Sequence, residues 1–314
     1  MLLCCLFFLC GVVLVVKGGD YFVDAAARIA RALRVPTFVI GATVVSLATT
    51  MPETIVSALA AAEGKNEMAI GNAVGSVTAN TALVLAAAMI AMPIFCDRKR
   101  FLRPILLLVA ACVTLLLSSL GGELSVPGSV ILGGIFLLFM IGNLRAGRRE
   151  AREKTSEPEE KQSRKERLQN VLLFLLGAAG IVVGSRLMVD SGGEIALRLG
   201  VPERVVALTL VAIGTSLPEL VTTVTAILKK EAGLSVGNII GANVIDLSLI
   251  LPLCSLISKK PLPVPAAGFL ALDLPFCLGV TLLSFLPLLL RQKAAKWQGI
   301  LLLLSYAVYL FLIL

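Results

Sequence analysis

The sequence contains no histidine, and only 15% of its 314 residues are charged. Soluble domains carry about 25% charged residues, so this deficit excludes an ordinary soluble fold. The absence of histidine argues against a hydrolytic metal enzyme and against zinc or copper sites, whose usual ligands are imidazole and thiolate. No aspartyl or serine protease motif is visible. The chain is therefore not expected to be an enzyme.

Cysteine is present, but it lacks the arrangement of a metal site or a disulfide framework. The seven cysteines lie in or beside apolar stretches, and their number is odd. We interpret them as small apolar side chains. No cofactor is expected.

Long apolar runs make up most of the chain, which is 58% hydrophobic with a mean hydropathy of +0.96. A bilayer-spanning helix needs ~20 apolar residues, so the runs predict an all-α integral membrane protein with about ten transmembrane helices. The first run lacks the basic flank and cleavage site of a signal peptide, so we expect it to be retained. The predicted spans are 2–16, 37–62, 67–94, 102–119, 126–144, 169–188, 203–228, 234–257, 266–290 and 297–314.

The net charge of +8 does not indicate nucleic-acid binding, because the basic residues are concentrated in the loops on one side of the predicted membrane. With an external N-terminus, 22 of the 28 Lys and Arg lie in predicted inside loops. The segment 145–168 mixes both signs, which predicts a solvated cytoplasmic linker. We expect a multi-pass protein of the cell membrane, in contact with the lipid bilayer and with no nucleic-acid or obligatory protein partner.

A repeat with a period of 166 residues relates the two halves of the chain. Residues 18–80 match 184–246 at 18 of 63 positions without a gap, half of them at Gly, Pro, Thr, Asp and Glu and only one at Leu. Each half, 1–144 and 169–314, holds five predicted spans, so the second half enters the membrane from the opposite side. Inverted repeats of this kind recur in secondary transporters, with substrate sites near the midplane. The internal symmetry also disfavours a passive channel.

An acidic motif is repeated inside apolar runs, as "SLATTMPETIVS" and "VAIGTSLPELVT". A charge at the bilayer centre costs at least ~2.5–3.5 kcal/mol on insertion scales, so Glu53 and Glu219 are expected to be functional. The prolines before them, Pro52 and Pro218, break the helix and free backbone carbonyl groups.

Hydroxyl groups accompany both glutamates. Thr49 lies four residues before Glu53, which predicts one shared helix face. Carboxylates, hydroxyls and freed carbonyls form an all-oxygen set, which suits hard cations such as Ca²⁺ or Na⁺. The following spans add polar positions at four-residue spacing. The other polar positions are Thr50, Thr215, Ser216, Ser76, Asn80 and Asp246.

Two facing glutamates with Asp246 nearby cannot all stay ionised in a dry cavity, so cations or protons must neutralise them. Competition for the same oxygens is a physical basis for exchange, because a loaded site can reorient and an empty charged site cannot. The residue pattern alone leaves Na⁺ and H⁺ open as the counter-ion.

These residues resemble the sodium/calcium exchanger family of the cation/calcium exchanger superfamily. The stretches "GATVVSLATTMPE…GNAVGSVTAN" and "ALTLVAIGTSLPE…GNIIGANVID" are similar to its two α-repeats, here at 41–80 and 207–246. The resemblance covers nearly the whole chain, and the short central loop is similar to that of prokaryotic members. It implies a Ca²⁺/Na⁺ antiporter working by alternating access. The alternative is a Ca²⁺/H⁺ (or other cation/H⁺) antiporter that uses the same glutamates.

The resemblance also implies roles for the matching residues. Glu53 and Glu219 would be the central calcium ligands, with the other positions beside them. The implied set is Thr49 and Thr215 next to calcium, Asn80 and Asp246 in the middle site, and Thr50, Ser216, Ser76 and the backbone carbonyls of Ser46 and Ala212 at flanking sodium sites.

One position departs from the family's pattern. Ala242 is the repeat counterpart of Ser76, and relatives often carry serine there. One sodium site therefore lacks a hydroxyl, which leaves its sodium affinity or stoichiometry open.

Overall fold

The computed structural model describes residues 1–91, 94–153, 163–200, 216–264 and 268–313, and nearly all of them are helical. Short antiparallel strands join two of the loops. The elements are α1 (Leu2–Ala32), α2 (Thr37–Thr49), α3 (Met51–Ala62), α4 (Asn66–Ala91), α5 (Arg98–Ser118), β1 (Glu123–Leu124), α6 (Val126–Glu153), α7 (Arg164–Arg198), α8 (Leu217–Leu228), α9 (Ala232–Ser258), β2 (Leu262–Pro263), α10 (Phe269–Arg291) and α11 (Lys296–Ile313). The described helices include π-helical turns at Gly41–Val45, Asn80–Leu85, Asp246–Ile250 and Phe269–Asp273.

The helices are those of a multi-pass membrane protein. Among the described residues, 8 helices are long and apolar enough to cross a bilayer, and α2 with α3 forms a further candidate bent by 46°. The helix α8 is apolar but shorter, and most of the rest of its predicted span, 203–228, lies outside the described residues. The all-α membrane fold is confirmed, and the count of ten stays a prediction.

The first helix is much longer than the predicted span 2–16. It continues to Ala32 because the residues beyond Lys17 keep a buried apolar face, which includes Phe22 and Val23. Phe22 stacks on Phe174 of α7, with 4.5 Å between ring centroids. Packing against a second helix therefore extends α1 past the point where its apolar run ends.

Glycines bring α1 and α7 into close contact. Gly11 lies against Gly184, and Gly18 lies against Gly177. Rising numbers in one helix meet falling numbers in the other, so the two helices run antiparallel. A Cβ added at Gly18 would come within 2.9 Å of the Gly177 carbonyl oxygen, which explains the small residues at this interface. An inverted repeat requires this relation of these counterpart helices, although the repeat of two five-span halves stays a prediction.

The repeat spacing recurs in the helix boundaries. The helix α8 begins and ends 166 residues after α3, at Leu217 and Leu228 against Met51 and Ala62. The helices α4 and α9 begin with the same spacing, and each contains a π-helical turn at the repeated position. The apolar core is divided between a large cluster, which extends over α2 to α6 and α8 to α11, and a smaller cluster centred on α1 and α7.

The segment predicted as a linker, 145–168, is helical at both ends. The helix α6 continues to Glu153, where Arg149 pairs with that residue at 2.9 Å. The helix α7 begins after a capping box formed by Ser163 and Glu166. Charged residues with good helix propensity therefore lengthen both helices. The domain boundaries stay a prediction.

Candidate cation site

Both glutamates lie at the start of a helix, directly after a break or turn. The chain bends by 46° between α2 and α3, and Glu53 follows in the first turn of α3. Glu219 has the same place in α8, and both residues are 1% exposed. The first N–H groups of a helix have no partner within that helix, and they carry partial positive charge. This position therefore favours a buried carboxylate.

The break changes one predicted relation. Thr49 and Glu53 do not share a face of one continuous helix, because α2 ends at Thr49 and α3 begins at Met51. Pro52 has no N–H group to continue the earlier helix. Both residues are nevertheless buried at the bend.

Three carboxylates interact within this buried region. Glu53 is close enough to Glu219 and Asp246 for their like charges to affect one another. Asp246 is likewise close enough to Glu219 to be affected by its charge. Three buried negative charges repel one another unless positive charge accompanies them.

Hydroxyl groups from the first half reach the second half. The Thr49 hydroxyl donates to Asn238 Oδ1 of α9 at 3.2 Å. The hydroxyls of Thr49 and Thr50 also approach the Glu219 carboxylate. However, neither Glu219 oxygen, nor Thr50 Oγ1, has a partner at normal hydrogen-bond geometry within the described chain. These groups face one another with their bonding capacity unused.

Unpaired buried oxygens are the main chemical feature of the site. An unsatisfied buried polar group costs about 1–3 kcal/mol, so a cluster of them in a folded protein needs an explanation. All of these atoms are oxygens, which are the ligands that hard cations prefer. The predicted site residues with such an atom are Thr50, Glu53, Ser76, Asn80, Ser216, Glu219 and Asp246.

The carboxylates alone do not form a metal cage. No group of three or more His, Cys, Asp or Glu side chains that could hold a metal ion occurs among the residues that the structure describes. Hydroxyl, amide and backbone oxygens would therefore have to complete the coordination of a cation. This requirement agrees with the kinds of unpaired atom that surround the glutamates.

For three of the predicted positions, the structure shows no unpaired oxygen within the described residues. The Ser46 carbonyl already accepts bonds from the Thr50 N–H group at 2.9 Å and from the Thr49 hydroxyl at 3.3 Å. Its part in a sodium site stays a prediction. Thr215 and Ala212 lie outside the described residues.

The helices after the glutamates carry the remaining polar positions. Asn80 and Asp246 each begin a π-helical turn, at repeat-equivalent places in α4 and α9. Such turns occur frequently at functional sites. Asp246 is fully buried, and Asn80 is 1% exposed.

Three amides near the site were not among the predicted ligands; Asn238 and Asn243 are buried, and Asn72 is partly buried. Asn72 donates to the Glu53 carbonyl at 3.4 Å and to the Ser57 hydroxyl at 2.9 Å. Its counterpart Asn238 accepts the bond from Thr49 described above. The repeated Gly-Asn pair was the available signal for both. Asn243, which donates to Thr81 at 2.8 Å, has no repeated counterpart to mark it.

Comparison with known proteins relates the whole chain to one family. A family profile described as "Sodium/calcium exchanger protein" matches residues 4–145 and 169–314. The uncharacterized membrane protein MJ0091 of Methanocaldococcus jannaschii is 33% identical over 305 residues, which cover 96% of this chain and 95% of that protein. Sodium/calcium exchanger MaX1 of Methanosarcina acetivorans is 29% identical, with 97% of each chain covered.

The fold is similar to solved structures as well. A structure of the sodium-calcium exchanger NCX_Mj, soaked with 2.5 mM Na⁺ and 10 mM Sr²⁺, matches with a TM-score of 0.84. The sequence identity is 32%, and the match covers 98% of this chain and 97% of that chain.

Proposed function

The chain belongs to the sodium/calcium exchanger family, and on that premise we propose that it exchanges Ca²⁺ for Na⁺ across a membrane by alternating access. Family membership makes the protein a membrane antiporter rather than an enzyme. Its substrates are the transported ions, and the reaction uses no additional cofactor.

The cluster of buried, unpaired oxygens around Glu53 and Glu219 carries this proposal. The two carboxylates would bind Ca²⁺ directly, because a divalent ion offsets two negative charges at once. Thr49 on α2 and Thr215, which precedes α8, would add neutral oxygens. Asn80 and Asp246 would line the space between the two acidic helices.

Exchange follows from competition for these oxygens. One Ca²⁺ or several Na⁺ ions can neutralise the carboxylates, and the two loads exclude each other. A neutralised site can pass between its two orientations, whereas an empty site would move uncompensated charge through a low dielectric. Coupling therefore requires only that the empty site reorients slowly.

Sodium is favoured over protons by the hydroxyls that flank the carboxylates. Thr50, Ser76 and Ser216 are buried, and their hydroxyl oxygens have no partner within the described chain. A proton bound to a carboxylate would not need three additional neutral oxygens, whereas a sodium ion would. The second candidate is Ca²⁺/H⁺ antiport, with protons on Glu53 and Glu219.

We place the protein in the cell membrane, with the segment between α6 and α7 in the cytoplasm. The basic residues near the ends of these two helices support this orientation. Calcium and the counter-ion are the partners of the site, and the lipid bilayer surrounds the helices.

The test is uptake of radioactive Ca²⁺ into proteoliposomes loaded with sodium, against liposomes that carry a matched proton gradient. We expect the outward sodium gradient to drive uptake. Glu53→Gln and Glu219→Gln should each abolish uptake, whereas Glu67→Gln, at an exposed glutamate of α4, should retain it. Uptake driven only by protons would establish the second candidate. Uptake that neither gradient drives would overturn the calcium assignment.

A further inference from the structure

One buried position has a hydroxyl in one half of the candidate site and lacks it in the other. Ser76 and Ala242 are repeat counterparts on α4 and α9. Ser76 is 3% exposed, and its hydroxyl has no partner among the described residues. Ala242 is completely buried and offers only a methyl group.

Contacts one turn earlier place both positions beside the bend between α2 and α3. On α4, Asn72 donates to the Glu53 carbonyl at 3.4 Å. On α9, Asn238 accepts from the Thr49 hydroxyl at 3.2 Å. Residues four apart share a helix face, so the side chains one turn later continue along the same side of each helix.

We propose that Ala242 sets the sodium affinity of this exchanger, because it withholds one neutral oxygen from the half of the site that contains Asp246. The half with Ser76 and Asn80 offers two neutral oxygens in addition to its glutamate. The half with Ala242 offers a carboxylate alone at these two positions. A missing neutral ligand weakens Na⁺ binding more than Ca²⁺ binding, because Ca²⁺ gains most from the carboxylates. The inference rests on the proposed exchange of Ca²⁺ for Na⁺.

The test compares three variants by the sodium dependence of Ca²⁺ release from proteoliposomes. Ala242→Ser should lower the half-saturating Na⁺ concentration several-fold, with a smaller change for Ca²⁺. Ala242→Cys is the matched control, since sulfur nearly equals the added volume but is a soft, poor ligand for Na⁺. Ser76→Ala should raise the half-saturating Na⁺ concentration.

The outcomes separate this inference from the function on which it rests. If the unaltered protein releases Ca²⁺ without any dependence on sodium, both the assignment of Na⁺ as the counter-ion and the inference would be overturned. If sodium drives Ca²⁺ release but Ala242→Ser and Ala242→Cys have the same half-saturating Na⁺ concentration, the inference alone would be overturned. Ser76→Ala needs no additional space, so an unchanged sodium dependence in that variant would also overturn it.

A different observation concerns the packing of the repeat-related helices. The helix α1 packs closely on α8, where a Cβ added at Gly19 would meet Thr225 Oγ1 at 2.9 Å and Val221 at 3.1 Å. No comparable packing joins their counterparts α7 and α3 within the described residues. Ile55 and Leu59, the counterparts of Val221 and Thr225, are 52% and 59% exposed. One of two equivalent interfaces is therefore closed, and the other is open.

Ion pairs hold the closed interface. Lys229 follows α8, and its ammonium lies 2.9 Å from Asp24 and 3.3 Å from Asp20 of α1. Burial lowers the pKa of Lys229, but these two carboxylates more than offset that effect and raise it. Arg31 of α1 lies 3.2 Å from Glu231, in the same turn. We call these contacts the α1–α8 ion pairs.

Three of these five residues have a counterpart of opposite charge at the open interface, namely Lys229 with Glu63, Asp20 with Arg186, and Glu231 with Lys65. Asp24 is repeated as Asp190, and Arg31 as the neutral Leu197. Glu63 and Lys65, after α3, pair with each other at 2.7 Å instead of with α7. Arg186 of α7 is exposed and has no ion pair within the described chain. Reversal of both signs keeps the pair of Lys229 with Asp20 attractive, as Glu63 with Arg186.

We infer that the α1–α8 ion pairs hold the present conformation, and that a pair between Glu63 and Arg186 replaces them when the opposite interface closes. That alternative pairing is weaker, because Asp190 repeats Asp24 without a change of sign and repels Glu63, and because Leu197 stands in the place of Arg31. The conformation described above is therefore the more stable of the two. The inference rests on alternating access, but its measurement does not require transport.

Hydrogen–deuterium exchange of the protein in lipid nanodiscs tests this inference. Lys229→Gln should speed exchange in 20–32 about threefold, a modest effect because the two pairs that it loses, with Asp20 and Asp24, are partly exposed. The same variant should slow exchange in 55–65, because the opposite interface closes more often. Lys230→Gln removes the same charge from the same turn, where no ion pair is present among the described residues, and should change neither segment.

A second variant, Glu63→Gln, tests the alternative conformation, and it should not speed hydrogen–deuterium exchange in 20–32. In the present conformation it removes only the pair with Lys65, and it also removes attraction from the alternative conformation. Equal effects of Lys229→Gln and Lys230→Gln would overturn the inference. Faster exchange in 20–32 without added protection in 55–65 would do so as well, because it would show local loosening without a change of conformation.

Discussion

The helices α3 and α8 have the same length and begin with the same proline–glutamate step, but their surroundings differ. After α3, the chain presents Ser76 and Asn80. After α8, it presents Ala242 and Asp246 at the same places. The residues that shape the backbone and the two glutamates are repeated, whereas the ligand positions on α4 and α9 have diverged. A common framework therefore holds two chemically unequal half-sites.

The same two helices differ in how they are covered. The helix α8 is closed over by α1, whereas α3 has no equivalent contact with α7 in the described parts of the chain. An inverted repeat that packs differently at its two ends can exchange one packing for the other. Alternating access would require such a difference, because one interface would be closed and the other open in each conformation.

The largest expected effect comes from a substitution that forces α9 away from α2. A Cβ at Gly237 would overlap the Phe38 carbonyl oxygen and meet the Ala42 nitrogen at 3.0 Å. Gly237→Ala should therefore lower the free energy of unfolding by about 1–3 kcal/mol, the usual range for overpacking. Thermal unfolding in detergent measures the change. Gly134→Ala, which meets no atom within 4 Å, is the control and should be nearly neutral.

Making the half-sites alike should have the next largest effect. Asp246→Asn gives α9 the amide that α4 has at Asn80, and it removes one buried carboxylate. We expect the half-saturating Ca²⁺ concentration to rise by about tenfold, because calcium affinity depends on the number of charged ligands. The reverse change, Asn80→Asp, should move calcium affinity in the other direction. An unchanged calcium dependence in both variants would contradict the unequal half-sites.

The hydrogen bond between the halves gives the smallest expected effect. Thr49→Val removes the donor to Asn238 and leaves a buried amide oxygen without that bond, at a cost of about 1 kcal/mol. Thr54→Val breaks a bond to the Thr50 carbonyl within one short stretch of chain and should cost less. Thermal unfolding distinguishes the two. Equal losses would mean that the bond between the halves has no special role.

Sequence reasoning predicted the acidic helices well because their signals are local. A buried glutamate after a proline within an apolar run is visible without any knowledge of the fold. The length of α1 was wrong because its second part is helical through packing against α7, on a face interrupted by charged residues. Periodicity of apolar residues could not reveal a partner helix that lies far along the chain.

The predicted relation of Thr49 to Glu53 was wrong for a similar reason. Spacing of four residues implies a shared face only in an unbroken helix, and the bend at Thr50 removes that condition. The bond from Thr49 to Asn238 joins residues far apart in the chain, so no local sequence pattern predicts it. The repeated Gly-Asn pair marked the asparagine but not its partner.

Calcium binding at equilibrium tests the central claim most directly, because it can be measured without a gradient of the coupling ion. Isothermal titration of Ca²⁺ into the purified protein should show binding that Na⁺ competes away. Glu53→Gln and Glu219→Gln should each weaken binding by about a hundredfold or more, whereas Glu67→Gln should bind normally. Unchanged calcium affinity in both site variants would contradict a cation site built on the two buried glutamates.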